Sequence, residues 1–233
     1  TGRYTTYGFS SQANLTATAL EPDGFGMTFA VNRRGEPLGN ARSPLPGRHN
    51  VANSLAAIAV ALELDVPFET AAAALTEFAG IERRFERKGT VCGVLVVDDY
   101  GHHPAEVRAT LSSARDVHSG RVVVVFQPHR YTRTRDCFEE FATAFNDADV
   151  LVVCEIYAAG EDKLPGIDGG ALAEAIRAHG HRNVRYAPEL DEVVAFLPSE
   201  LRQGDLVITL GAGNISSLGP RILTALTRTG ATG

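Results

Sequence analysis

The sequence is poor in lysine. Among its 22 basic residues only Lys88 and Lys163 are lysines, and neither follows a glycine. A phosphate-binding loop of the Gly-Lys-Ser/Thr type needs that lysine, because backbone amides cradle the phosphates while the ammonium reaches the terminal ones. This stretch of sequence has no such loop. Cysteine is scarce too. Cys92, Cys137 and Cys154 are odd in number and share no paired or metal-type spacing, so free thiols in a reducing compartment are expected. No apolar run reaches transmembrane length and no secretory-signal pattern opens the chain, which points to a cytoplasmic protein. The net charge of −6 argues against nucleic acid or an anionic membrane as the partner. The first residue is Thr1 and the one methionine is Met27, as expected of a fragment that starts inside a longer chain.

What is present is ordinary globular material. A hydrophobic fraction of 44% and a charged fraction of 21% over 233 residues suit one large domain or two small ones. The opening segment alternates polar and apolar residues around turn signals at Pro22-Asp23-Gly24 and Arg34-Gly35. That pattern predicts antiparallel strands at Leu15–Leu20, Gly26–Val31 and beside Pro37-Leu38. From His49 the period becomes helical, with Val51, Leu55, Ile58, Ala59 and Leu62 on one face and an end near Asp65-Val66-Pro67. A second, alanine-rich helix is expected from Phe68 to Phe78.

After a linker at Arg83–Gly89, short apolar strands alternate with helices. Strands are expected at Gly93–Asp98, Arg121–Phe126, Asp149–Glu155, Asn183–Ala187 and Asp205–Leu210. Helices are expected at Pro104–Arg115, Thr134–Phe145, Asp168–Ala178, Leu190–Leu197 and Ser217–Leu226. This alternation predicts an α/β, Rossmann-like, mostly parallel sheet covered on both faces. The expected division is residues 1–81 as the tail of one domain and 82–233 as a complete second one.

Ligands of open parallel sheets bind beyond the carboxyl ends of the strands, so the residues following each strand are the ones to weigh. The first strand runs into Asp98-Asp99-Tyr100-Gly101-His102-His103-Pro104. A helix-capping aspartate with solvated histidines, a metal site and an organic ligand site all remain open there. The second runs into Gln127-Pro128-His129-Arg130-Tyr131-Thr132-Arg133-Thr134-Arg135-Asp136. Cations at a helix N-terminus oppose the helix dipole by about 0.3–1 kcal/mol per site, so an anionic ligand is expected among them, with Thr132 and Thr134 as caps; the alternative is a solvated basic turn partly offset by Asp136, Glu139 and Glu140. Gly211-Ala212-Gly213 begins like a dinucleotide fingerprint, but Ser216 stands where the third glycine belongs. It reads as a tight strand-to-helix turn. The acidic loop Glu155–Asp162 is either a wall of the site or plain surface. Upstream, Asn50 and Asn53 lie one turn apart on one helix face, where a cap explains only one of them.

In their order along the chain, Gly47-Arg48-His49-Asn50-x-x-Asn53, Arg83-Arg84-Phe85, Asp98-Asp99-Tyr100-Gly101-His102-His103-Pro104, the Gln127-Pro128-His129-Arg130 string and Gly211-Ala212-Gly213-Asn214-Ile215 resemble the Mur ligase family. The resemblance implies the end of a central ATPase domain followed by the whole C-terminal domain. It also implies ATP-dependent joining of L-alanine to UDP-N-acetylmuramate in peptidoglycan synthesis, with ATP and Mg²⁺ as cofactors. The metal ligands and the phosphate-binding loop are then expected outside this sequence, leaving the fragment inactive alone. By the same resemblance Asn50 and Asn53 border the adenine, Arg84 meets nucleotide phosphates and Asp99 takes the ribose hydroxyls. Tyr100, His102, His129, Arg130 and Arg133 face the muramate and the amino acid, and Arg84 and His102 are the catalytic candidates. The alternatives are a non-catalytic nucleotide or nucleotide-sugar module, the related murein tripeptide ligase and, more remotely, a dehydrogenase.

Overall fold

The computed structural model describes residues 4–230 and divides into two compact units, Thr1–Gly80 and Ile81–Gly233. In the first, β1 (Tyr7–Gly8), β2 (Leu15–Asp23), β3 (Gly26–Arg33) and β4 (Glu36–Ser43) form one sheet in that order. The β2–β3 and β3–β4 pairs are antiparallel, as the alternation predicts. The two-residue β1 pairs in parallel with β2 and is too short to leave a periodic signal. Helices α1 (Arg48–Glu63) and α2 (Phe68–Glu77) complete the unit. Val51, Leu55 and Ile58 of α1 bury against Leu15, Phe29 and Val31 of the sheet. Leu55 is fully buried, so its truncation to alanine is expected to cost about 2–5 kcal/mol.

The second unit holds β5 (Glu86–Val91), β6 (Val94–Asp99), β7 (Val122–Phe126), β8 (Val150–Val153), β9 (Val184–Tyr186) and β10 (Leu206–Leu210). Their order across the sheet is β5-β6-β10-β7-β8-β9. All neighbours are parallel except β5 and β6. The stretch expected to be a linker is therefore largely a strand: β5 forms an antiparallel hairpin with β6. Its Glu-Arg-Lys-Gly-Thr-Val sequence carries the charges and glycine of a sheet edge, which is why it lacks the apolar signature of the central strands. Those central strands are buried on both faces. Val123 and Val125 pack toward the helices α7 (Leu190–Glu200) and α8 (Leu218–Gly230), while Phe126 meets Phe141 and Phe145 on the other side.

Helix α3 (Pro104–Val117) follows β6 and α6 (Gly169–Ala178) follows β8, both close to expectation. The helix expected at Thr134–Phe145 is different. It starts three residues earlier and breaks at Cys137 into α4 (Tyr131–Asp136) and α5 (Phe138–Ala142).

Candidate functional site

The carboxyl ends of β6, β10, β7 and β8 bring four loops to one edge of the second unit's sheet. At the end of β6, Asp98 is fully buried and accepts from Thr209 Oγ1 at 2.6 Å and Arg83 Nε at 3.1 Å. Asp99 is also buried. Its Oδ1 accepts from the Gly101 amide (2.8 Å) and Thr110 Oγ1 (3.1 Å), and its Oδ2 from the Phe85 amide (2.8 Å). Burial pushes its carboxyl above the usual range despite those donors. Three of the roughly four acceptor positions of a carboxylate are thereby filled, which leaves room for one further hydroxyl. Neither aspartate caps α3. That helix begins at Pro104 with His103 as its N-cap residue, and Glu106 receives the backbone amides of His102 (2.9 Å) and His103 (3.1 Å).

The adjacent arginines diverge. Arg83, in left-handed backbone at φ 59, turns its guanidinium to Asp98 and to the carbonyls of Gly211 and Ala212, pinning the β10 loop. Arg84 is exposed, with a loose 3.9 Å approach to Glu106, and lies 5.5 Å from the Tyr100 ring centroid. Of the two, Arg84 is the one able to meet a ligand.

An aromatic row crosses the strand ends. Tyr100 meets His102 edge-on at 5.1 Å, His102 lies 5.8 Å from His129, and His129 stacks on Tyr157 at 5.6 Å. The two histidines carry opposite tautomers. His102 Nδ1 sits 3.0 Å from the Tyr100 carbonyl, which only accepts, so Nδ1 holds a proton, and in the neutral ring the lone pair lies at Nε2. His129 Nδ1 sits 3.2 Å from Arg133 Nη1, which only donates, so Nδ1 is the acceptor and Nε2 carries the hydrogen. Burial, then the charges of Arg133, His102 and Arg130, push the His129 imidazole below its usual value, in keeping with a neutral ring.

The arginine-rich loop departs from expectation in two ways. Arg133 and Arg135 lie in the last turn of the six-residue α4, where the dipole favours a cation, so the predicted conflict with the dipole remains only at Arg130, the N-cap residue. Thr132 and Thr134 are inside the helix and cap nothing. Thr134 Oγ1 returns to the Arg130 carbonyl (2.8 Å), and the N-cap residue is Arg130 at φ 73. The anion at that first turn is a protein carboxylate, Glu161, which accepts from Thr132 N (3.0 Å) and Thr132 Oγ1 (2.7 Å). Arg130 approaches it at 3.9 Å.

The Gly211–Gly213 segment is the tight turn expected of it. Gln127 holds it, donating to Asn214 Oδ1 (2.8 Å) and accepting from Ile215 N (3.2 Å). A Cβ on Gly213 would stand 2.6 Å from both Gln127 Oε1 and the Tyr157 ring, so glycine is required there by close packing.

Tyr100, His102, His129 and Arg133 thus converge, while Arg130 is drawn aside to Glu161. Asn50 and Asn53 belong to the first unit: Asn53 Nδ2 donates to Asn50 Oδ1 (3.3 Å), and Asn50 Nδ2 to the Pro46 carbonyl (2.7 Å). Tyr157 and Glu161 lie in the Glu155–Asp162 loop, expected as either a wall of the site or plain surface, and Gln127 in the string that carries the family resemblance, but sequence reasoning assigned none of the three a role. Among the described residues no group of three or more His, Cys, Asp or Glu side chains could hold a metal ion. No described helix is long and apolar enough to cross a membrane.

Relatives share this arrangement of elements. The crystal structure of a UDP-N-acetylmuramate-alanine ligase from Thermotoga maritima superposes with a TM-score of 0.82 at 26% identity, covering 98% of this chain and 48% of that one. A murein peptide ligase from Psychrobacter arcticus superposes at 0.62, also at 26% identity, over 95% and 46%. In sequence, the UDP-N-acetylmuramate–L-alanine ligase of Myxococcus xanthus is 52% identical over 97% of this chain, and that of an Anaeromyxobacter strain 54% identical over 95%. The chain spans about half the length of these relatives, 48% in each of the two sequences. The profile of the Mur ligase middle domain matches residues 1–61, and that of the Mur ligase glutamate ligase domain matches residues 83–213. With the second of these profiles matched over more than half its length, the chain belongs to the Mur ligase family.

Proposed function

We propose that this chain is the C-terminal half of an ATP-dependent ligase, residues 1–81 ending a central domain and 82–233 forming the C-terminal one. The parent would join the amine of L-alanine to the carboxylate of UDP-N-acetylmuramate, the two compounds in its relatives' names, and would do so in the cytoplasm. One observation carries the reading: the His102 and His129 rings and the Arg133 guanidinium, which has no carboxylate partner among the described residues, gather at one strand-end edge.

Bound ATP would supply the phosphoryl group that converts the muramate carboxylate into an acyl phosphate. Arg84, exposed beside Tyr100, would meet the nucleotide phosphates, and the remaining acceptor position of Asp99 would take a ribose hydroxyl. Asn50 and Asn53 are assigned to the adenine. Arg133 and the His129 Nε2–H supply two donors for an anionic substrate group. Tyr100 and the His102–His129 row form the wall against which muramate and alanine lie. Alanine attacks as a free amine, so its ammonium must lose a proton. His102, with Nδ1 committed to a carbonyl, would take that proton on Nε2. The amine nitrogen would then bond the acyl carbon, the carbon–oxygen bond to phosphate would break, and the phosphate would leave carrying the second proton that the nitrogen sheds.

The test is phosphate release by the full-length protein with ATP, UDP-N-acetylmuramate and L-alanine. Release that needs all three substrates and falls at least tenfold in His102→Ala is expected. Release indifferent to alanine, or untouched by His102→Ala, refutes the assignment. The 233-residue chain alone is expected to show none.

A further inference from the structure

The loop after β8 is tied to the arginine cluster more closely than a connecting loop needs. Tyr157 N donates to the Pro128 carbonyl (2.8 Å) and Arg130 N to the Tyr157 carbonyl (2.9 Å), extending the parallel pairing of β7 and β8 beyond both strands. The chain then turns through Ala159 at φ 51 and Gly160 at φ 86, closed by Glu161 N to the Ala158 carbonyl at 3.1 Å. Left-handed backbone is unfavourable for a residue with a Cβ, so Ala159 is held there by its surroundings. That turn delivers the Glu161 carboxylate to the first turn of α4, onto the Thr132 amide and hydroxyl. Arg130, which approaches the same carboxylate, is itself left-handed at φ 73. Two unfavourable residues therefore flank one contact, and the contact joins two loops that both border the aromatic row.

The charges sort accordingly. Arg135 pairs with Asp136 at 2.7 Å and Arg130 with Glu161 at 3.9 Å. Among the described residues Arg133 has no carboxylate partner; its Nη1 contacts His129 Nδ1 and the His129 carbonyl. A guanidinium has five N–H donors, so most of Arg133 is left for a ligand.

We propose that Glu161 is a positioning residue of this site: by engaging Arg130 and holding the first turn of α4, it leaves Arg133 as the guanidinium that receives the substrate's anionic group. The proposal rests on the anion-binding reading above. Glu161 touches no substrate and acts through Thr132, Arg130 and, along the short helix, Arg133.

Glu161→Ala and Glu161→Gln in the full-length protein separate position from charge. A glutamine can accept from the Thr132 amide and donate to its hydroxyl, keeping the geometry without the charge. Glu161→Ala should raise the KM of muramate or alanine by about fivefold or more, with kcat within about twofold and the KM of ATP unmoved. Glu161→Gln should restore most of that loss. Equal increases in all three KM values, no increase at all, or a glutamine variant as impaired as alanine would overturn the proposal. A second measurement does not depend on the reaction. Inorganic phosphate is titrated into the 233-residue chain while the arginine Nε–Hε resonances are followed. Arg133 should shift and Arg130 should not, whereas in Glu161→Ala both should. Shifts of equal size in the unsubstituted chain, or none at Arg133, refute the division of roles even if the ligase reading stands. Phosphate release that ignores alanine refutes the ligase reading even if the resonances behave as expected.

Discussion

Replacing Arg133 by alanine separates a ligand-holding arginine from a structural one. Its guanidinium contacts His129 Nδ1 at 3.2 Å and the His129 carbonyl at 3.3 Å, and pairs with no described carboxylate. Both contacts come from one guanidinium nitrogen of a half-buried side chain to neutral acceptors, so together they are worth about 1.5–3 kcal/mol. The favourable place of Arg133 in the last turn of α4 adds about 0.3–1 kcal/mol. Thermal stability should therefore fall by several degrees, and the protein should stay folded. The contribution to binding is of similar size. A charge-assisted contact to carboxylate or phosphate is worth about 1.5–3 kcal/mol, so KM for muramate or alanine should rise about ten- to a hundredfold. Arg133→Lys should recover part of this, because it keeps the charge and loses the planar fork. The substitution also has a signature independent of turnover. Arg133 is the second cause, after burial, that holds the His129 imidazole below its usual value, so in Arg133→Ala that ring should titrate at higher pH. Steady-state kinetics in the full-length protein and an NMR titration of His129 read the two effects. An unfolded variant, or unchanged KM values with an unmoved His129, would show that the cluster is structural and the reasoning wrong.

Other substitutions probe the scaffold around the cluster. Asp99→Ala strands the buried amides of Phe85 and Gly101 and the Thr110 hydroxyl, so it should destabilise by about 2–4 kcal/mol in chemical denaturation and confound any kinetic test of the ribose assignment. Asp99→Asn, which keeps one oxygen, should be milder. Glu106 is held below the ordinary glutamate value of 4.5: burial raises it, but the His102 amide, the His102 ring, the His103 amide and Arg84 outweigh that. A lowered carboxylate contributes stability above its unfolded pKa and loses it as pH falls through the folded one. Melting temperature should thus drop below about pH 4.5, less steeply in Glu106→Gln. Gly213→Ala puts a methyl group 2.6 Å from Gln127 Oε1 and the Tyr157 ring, and should cost about 1–3 kcal/mol in denaturant unfolding while weakening substrate binding.

How much of this was legible in the sequence depended on burial. The central strands show as unbroken apolar runs because both faces are covered, as in Val122–Phe126. The edge strand β5 does not, since its charged residues face solvent at the sheet margin. The candidate residues were legible as types at strand ends, but their partners were not. Arg83 and Arg84 are neighbours in sequence, and only the left-handed backbone at Arg83 sends one inward and leaves the other exposed. An anionic ligand was expected near the arginines, whereas the carboxylate at the first turn of α4 is the protein's own Glu161, delivered from a loop 29 residues downstream of Thr132. No local pattern encodes a contact of that separation. The histidine tautomers are equally invisible in sequence, because a carbonyl and a guanidinium set them in space.

The central claim is that this chain completes an enzyme that forms an amide through an activated carboxylate. Isotopic tracing tests it most directly. UDP-N-acetylmuramate carrying heavy oxygen in its carboxylate is incubated with the full-length protein, ATP, Mg²⁺ and L-alanine, and the products are weighed by mass spectrometry. The account predicts an alanyl amide product and one heavy oxygen transferred to the released phosphate. Amide formed without heavy oxygen in phosphate, or phosphate released with no amide, would contradict it.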